Sequence, residues 1–350
     1  VKEDAANDAR IYETVDESAL PVVAGTDPTV EVSEIAEHAR HARAVGLGTL
    51  FCLASAVLYT CTNACLRVVV NYDPYWVSCL KALPTMLLAA SILLYDRARG
   101  VRHPLSWKLA FGLFMTGVLA HFGGNVAFQW GLEIVGLAAT VPLTFSLLLI
   151  TGALLGRFWL GEPITARTVA AIAFLSAAFL CVSLHTRQTV DQVGIGQVVH
   201  PTSTVILAVA AVCFSGIAYA VLGAVMRRTV TGPASMSSAL FMVGLAGLLT
   251  LGPAAVARVG VDALAAIPTR AYGVMLAAGT FNAVAFFALT RAMQLVPVSF
   301  VNIVNASQVA MAAGAGVVLF NEPQTAWLYG GIALTVAGLV TNRRPSKRRR

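Results

Sequence analysis

Residues 161–166 read Gly161-Glu162-Pro163-Ile164-Thr165-Ala166, and 160 positions later the chain reads Asn321-Glu322-Pro323-Gln324-Thr325-Ala326. Four of the six positions are identical, and each copy lies between two apolar stretches. The same shift carries the small-residue pair Gly152 and Gly156 onto Ala312 and Gly316. Working outward, apolar runs fall at about 46–67, 75–95, 108–129, 135–155 and 166–185, then at 204–225, 234–252, 271–290, 297–319 and 324–341. A helix crossing a ~30 Å hydrocarbon layer needs about 20 residues at ~1.5 Å rise, so each run suffices for one crossing. Ten crossings and nine short loops leave no room for a soluble domain. The expected fold is therefore all-α and integral to the membrane, with ten transmembrane helices as two five-helix repeats. An odd number of spans per repeat forces the second copy to run the opposite way through the bilayer. Such inverted repeats are a hallmark of secondary transporters. The expected divisions are a polar tail at 1–44, repeats at 45–190 and 200–342, and a basic tail at 343–350.

Composition agrees with a membrane solvent. The 350 residues are 57% hydrophobic and 12% charged, with a mean hydropathy of +0.76. Soluble domains carry roughly 25% charged residues, so an ordinary cytoplasmic enzyme, a disordered chain and a disulfide-scaffolded domain are all excluded. Charge is unevenly spread. Residues 1–44 hold ten of the 17 acids and four of the 24 bases, which leaves 7 acids against 20 bases, a net +13, in the rest. Within the tail, Val30–Arg43 places Glu34 four residues before His38 and Glu37 four before His41. That spacing suits a short solvent-facing or interfacial helix. A polar tail rather than a short charged region precedes the first apolar run, so no cleavable signal peptide is expected.

With an inward N-terminus, the inside segments and the C-terminal tail collect 17 bases, from Arg40 to Arg350, against four outside at Arg67, Arg187, Arg258 and Arg270. This positive-inside bias predicts that both termini are cytoplasmic, in the cell membrane. The closing RRPSKRRR then reads as a topology determinant that attracts anionic membrane lipid and not as a nucleic-acid patch.

These features resemble the drug/metabolite transporter superfamily in its EamA branch. The resemblance covers residues 46–341 and rests on the five-plus-five arrangement and on two equivalent blocks, Leu132–Thr165 and Ala292–Thr325. Pro142 stands where such proteins often carry a proline, although its counterpart 160 positions on is Asn302. Lys81, seven residues after Pro74, stands where relatives often have a basic residue. The resemblance implies a ten-helix carrier of small metabolites with a central cavity between the halves, and it names no substrate.

Polar side chains at membrane depth are expensive unless they face the bundle interior or a watery cavity. His121, Asn125 and Gln129 follow at i, i+4 and i+8 on the third span and share one stripe of an α-helix. Asn302 and Asn305, continued by Ser307 and Gln308, do the same on the ninth. Both stripes read either as cavity lining or as interhelical hydrogen bonding. Lys81, about six residues into the second span, either snorkels to the interface or faces an anionic group. Glu133 pairs with Lys81 or only with water. His121 and Glu133 are the candidate coupling groups. Glu162, Pro163, Glu322 and Pro323 read as helix entries, with proline in the first turn and Thr165 and Thr325 bracing the start. The pairs Gly152/Gly156 and Ala312/Gly316 read as close helix packing.

No G-x-x-x-x-G-K-[ST] loop, H-E-x-x-H pair or G-x-S-x-G turn occurs. Six cysteines without a Cys-x-x-Cys pair or a Cys/His cluster argue against metal and redox chemistry. No catalytic residue, metal or cofactor is therefore expected. The sequence points to a secondary transporter, an exporter or permease for a small metabolite or amphipathic compound working by alternating access. Two alternatives stay open: a polytopic membrane enzyme or lipid-handling protein, and an assembly or sensor subunit docking through its N-terminal tail. A homodimer is compatible with the sequence, and nothing in it points to nucleic acid.

Overall fold

The computed structural model of the protein describes residues 28–101, 103, 105–134, 137–193, 201–232, 234–311 and 325–341. Among them are helices and turns and no strand. By its contacts the chain divides into Val1–Arg43 and Ala44–Arg350. Helix α1 runs Pro28–Val68, so the helix expected over Val30–Arg43 is its first part and not a separate element. No proline interrupts it.

Within Ala44–Arg350 the order continues with α2 (Pro74–Ala98), α3 (Trp107–Leu119), a π-helical segment (Ala120–Val126), α4 (Ala127–Ile134), α5 (Leu137–Phe158) and α6 (Ala166–Val193). The second half holds α7 (Thr202–Val230), α8 (Met236–Val259), the short α9 (Val261–Ala265), α10 (Thr269–Leu295), α11 (Val298–Asn305) and α12 (Ala326–Thr341). Among the described residues six helices are long and apolar enough to cross a membrane: Ala42–Val68, Pro74–Ala98, Trp107–Ile134, Thr202–Val230, Met236–Val259 and Thr269–Leu295. Shorter apolar helices lie at Leu143–Phe158, Ala166–Cys181, Val298–Met311 and Ala326–Thr341. Large apolar side chains point outward, with Phe158 82% and Ile206 63% exposed. Lipid satisfies such faces, whereas contiguous apolar surface is rare on a soluble monomer.

Four helix starts follow the same shift: moved by 160, Pro74, Trp107, Leu137 and Ala166 fall at 234, 267, 297 and 326, against observed starts at Met236, Thr269, Val298 and Ala326. Local chemistry sets several of them. Asp73 accepts the Tyr75 and Trp76 N–H groups, both at 3.0 Å, and Ser235 accepts Ser238 N–H at 3.1 Å. The duplicated threonines do the same. Thr165 Oγ1 accepts Thr168 N–H at 3.2 Å and Thr325 Oγ1 accepts Leu328 N–H at 3.3 Å, each satisfying an orphan donor of a helix start. Pro163 therefore precedes the cap of α6 and does not occupy its first turn. Gly161 has φ +68°, a left-handed conformation that ends α5 and that glycine adopts most readily. Glu322, Pro323 and the pair Ala312/Gly316 lie outside the described residues.

Packing joins the two halves. Repeat-equivalent helices meet as α2 on α8 and α6 on α12, and α5 packs along α7. At the last contact Gly216 lies against the chain of α5, where a Cβ would overlap the Thr144 carbonyl and come within 2.8 Å of Leu147 Cβ. Next to it Thr144 and Ser215 hydroxyls are hydrogen-bonded at 3.0 Å.

Candidate functional site

A cavity of about 180 Å³ lies within Ala44–Arg350, lined by residues of α1, α2, the π segment, α4, α5, α7, α8, α10 and α11. That is room for a small organic molecule, since a water needs only about 10–15 Å³ on this measure. Its polar centre is the π segment, whose sequence AHFGGNV contains two adjacent glycines. A Cβ on Gly123 would come within 2.6 Å of Phe214, and one on Gly124 within 2.6 Å of Tyr219. The glycines thus let two rings of α7 lie directly on this helix. Gly247 of α8 leaves equivalent room for the His121 ring.

The hydrogen bonds here determine one another. Lys81 can only donate, so the amide of Asn125 must turn its oxygen toward it, and the Nζ to Oδ1 distance is 2.5 Å. Tyr219 donates its hydroxyl to the same oxygen at 2.8 Å. The Asn125 Nδ2 then faces His121 Nδ1, at 3.0 Å, which must accept. The His121 proton therefore sits on Nε2 and is donated to the Val243 carbonyl at 3.1 Å. Both ring nitrogens are committed to holding Asn125 in place. A proton added to Nδ1 would set N–H against N–H, so the geometry makes His121 a positioning group and not a free titrating one.

From the second half, Asn302 and Asn305 line the same cavity on α11. Both are buried, and Asn302 Nδ2 and Asn305 Oδ1 have no hydrogen-bond partner. Gly152 makes room for the Asn302 amide, where a Cβ would overlap it. The space at Gly152 is therefore filled by a side chain of the site. Six of the sequence-selected residues, Lys81, His121, Asn125, Asn302, Asn305 and Gln308, thus share one cavity. Gln129 does not join them. It is buried with Oε1 unpartnered, because the wider π turn breaks the α-helical phase on which the i, i+4, i+8 stripe depended. Glu133 is exposed at the end of α4, and the amide of Asn125, not Glu133, holds Lys81. Sequence reasoning missed Asn63, Tyr219 and Asn282, which also line the cavity. For the two asparagines the signal was a lone amide within an apolar run.

Glu162 lies outside the cavity lining and does more than open α6. Its buried carboxylate accepts Val298 N–H at 3.0 Å through Oε1 and Ser299 N–H at 3.5 Å through Oε2, capping α11 from the other half of the chain. Arg227 of α7 approaches Oε1 at 3.6 Å. Gly156 passes close to this carboxylate, where a Cβ would come within 3.0 Å of Oε2. Among the described residues no group of His, Cys, Asp or Glu could hold a metal ion.

The bundle is apolar on its outside and polar at the cavity, whose described lining holds no Asp or Glu. Residues 204–343 match the EamA-like transporter family. That family is part of the drug/metabolite transporter superfamily, and the chain is a multi-pass membrane protein similar to it over that segment. No curated protein matches it in sequence. A crystal structure described only as that of a protein is similar at a TM-score of 0.63 and 16% identity, covering 84% of this chain and 95% of its own. At that identity the likeness is one of fold alone. The matched segment contributes α11, with Asn302 and Asn305, to the cavity and receives the Glu162 cap.

Proposed function

We propose that the protein is a secondary transporter that carries a small metabolite across the cell membrane by alternating access. In this reading the blocks 45–190 and 200–342 are inverted five-helix repeats, ten spans in all, with both termini in the cytoplasm. The observation that carries it is a cavity to which both blocks contribute polar side chains, the first through Lys81, His121 and Asn125 and the second through Asn302 and Asn305. The matching helix starts and the packing of α2 on α8 and α6 on α12 support a pseudo-twofold relation between the halves. Rocking one half on the other would expose such a cavity to each side in turn.

Substrate in this cavity would meet the unpartnered amides of Asn302 and Asn305. An unmade hydrogen bond to a buried group is worth about 1–3 kcal/mol, so each amide contributes roughly tenfold to substrate engagement. Proteoliposome flux of a metabolite mixture, read by mass spectrometry, tests this. Asn302→Ala and Asn305→Ala are each expected to lower flux about tenfold at normal incorporation. Unchanged flux in both would remove α11 from the transport path.

A further inference from the structure

We infer that the cavity takes a small organic monoanion, a carboxylate with an uncharged hydrogen-bonding body. The inference rests on the carrier reading for its physiological meaning and on the cavity's own chemistry for its content. Lys81 is the cation of the lining, and among the described lining residues there is no Asp or Glu. The protein gives its ammonium an amide oxygen, that of Asn125, which is already shared with the Tyr219 hydroxyl. An ammonium withdrawn from bulk water needs a countercharge or it is costly, and a bound carboxylate supplies one in a charge-assisted hydrogen bond.

The remaining surfaces narrow the class. One cation balances one negative charge, which selects against dianions. A cationic ligand would meet Lys81 and find no carboxylate. A zwitterion would set its ammonium in a cavity whose exposed acceptors are neutral amides. Asn302 Nδ2 and Asn305 Oδ1 have no partner and are buried, so the ligand body bears at least one acceptor and one donor. Phe128, Phe145 and Phe286 give the lining an apolar part that suits a carbon skeleton.

The test uses the full-length protein in nanodiscs and three probe series built on lactate, mandelate and 3-phenyllactate, each with its neutral amide and its amino-alcohol cation. Equilibrium dialysis is expected to find at least one acid bound tenfold or more tightly than its amide and its cation. This preference is read on the unmodified protein and needs no variant to fold. Lys81→Gln is then expected to weaken the acid at least tenfold, with Lys81→Arg retaining it within about threefold. Amide or cation binding equal to the acid, acid binding unaffected by Lys81→Gln in protein that melts normally, or no acid binding in any series would each overturn the inference. Acid binding without flux of any compound would leave the anion site and remove the carrier. Flux of neutral compounds that Asn302→Ala abolishes would do the reverse.

Discussion

Glu162→Ala is expected to lower the stability of the folded protein by about 3 kcal/mol and to reduce transport in whatever fraction folds. The side chain is 10% exposed and its Arg227 partner 20%, so water does little to replace what is lost. Two N–H groups at the start of α11 lose their acceptor, and the Arg227 guanidinium, whose Nη1 already has no partner, loses its anion. Removing one member of a buried pair costs more than the pair contributes, because the other charge stays buried. A carboxylate at a helix N-terminus also interacts favourably with the positive end of the helix dipole, and the variant loses this too. Glu162→Gln keeps an oxygen for Val298 N–H but also leaves Arg227 without its anion, so it should be milder than Ala only by the share of the cap, about 1 kcal/mol, which separates the cap from the charge. Thermal unfolding in detergent reads both variants. An Ala variant that melts like the wild type would mean that the carboxylate does not hold α11. Since α11 carries Asn302 and Asn305, its anchoring reaches the cavity without Glu162 touching a substrate.

Asn125→Ala is the second large effect, expected at about 3 kcal/mol together with loss of transport. One amide serves three partners, accepting from Lys81 and Tyr219 and donating to His121. Truncation leaves an ammonium, a hydroxyl and a ring nitrogen unsatisfied at once, and buried groups in such a network cost more singly than in water. Asn125 has no α-helical substitute nearby, because the π turn alone brings its amide between Lys81 and His121. Gln129→Leu is the contrast. Its Oε1 has no partner, so an apolar replacement removes an uncompensated group and should leave stability within about 0.5 kcal/mol or raise it. Equal losses in the two variants, measured by melting temperature, would contradict the network as the source of the effect.

Much of the fold was legible because its causes are local or periodic. Apolar run length pointed to the long helices, and one duplicated block, Glu-Pro-x-Thr-Ala, gives a shift of 160 that four helix starts follow within two residues. Thr165 and Thr325 cap as their chemistry implies. The site was legible to the extent that a polar residue in an apolar span announces itself, which selected Lys81, His121, Asn125, Asn302 and Asn305. What escaped depends on tertiary contact. The π segment is stabilised by Phe214 and Tyr219 lying on Gly123 and Gly124, about 90 residues away in sequence, and its phase shift is why Gln129 left the stripe. Glu162 looked like a feature of its own helix because its partners, Arg227 and Val298, stand on helices that no local pattern connects to it. Gly152 and Gly156 carried a packing signature, whereas the room they leave is occupied by Asn302 and Glu162.

Transport through the cavity is tested most directly by filling it. Gly223 of α7 lines it, and a Cβ there meets only Met293 Cε at 3.5 Å, so Gly223→Phe adds a ring to the cavity and removes none of the hydrogen bonds around Asn125. Metabolite flux through proteoliposomes of this variant, with its melting temperature measured alongside, is expected to fall to background while the protein stays folded. Wild-type flux in folded Gly223→Phe protein would contradict transport through this cavity.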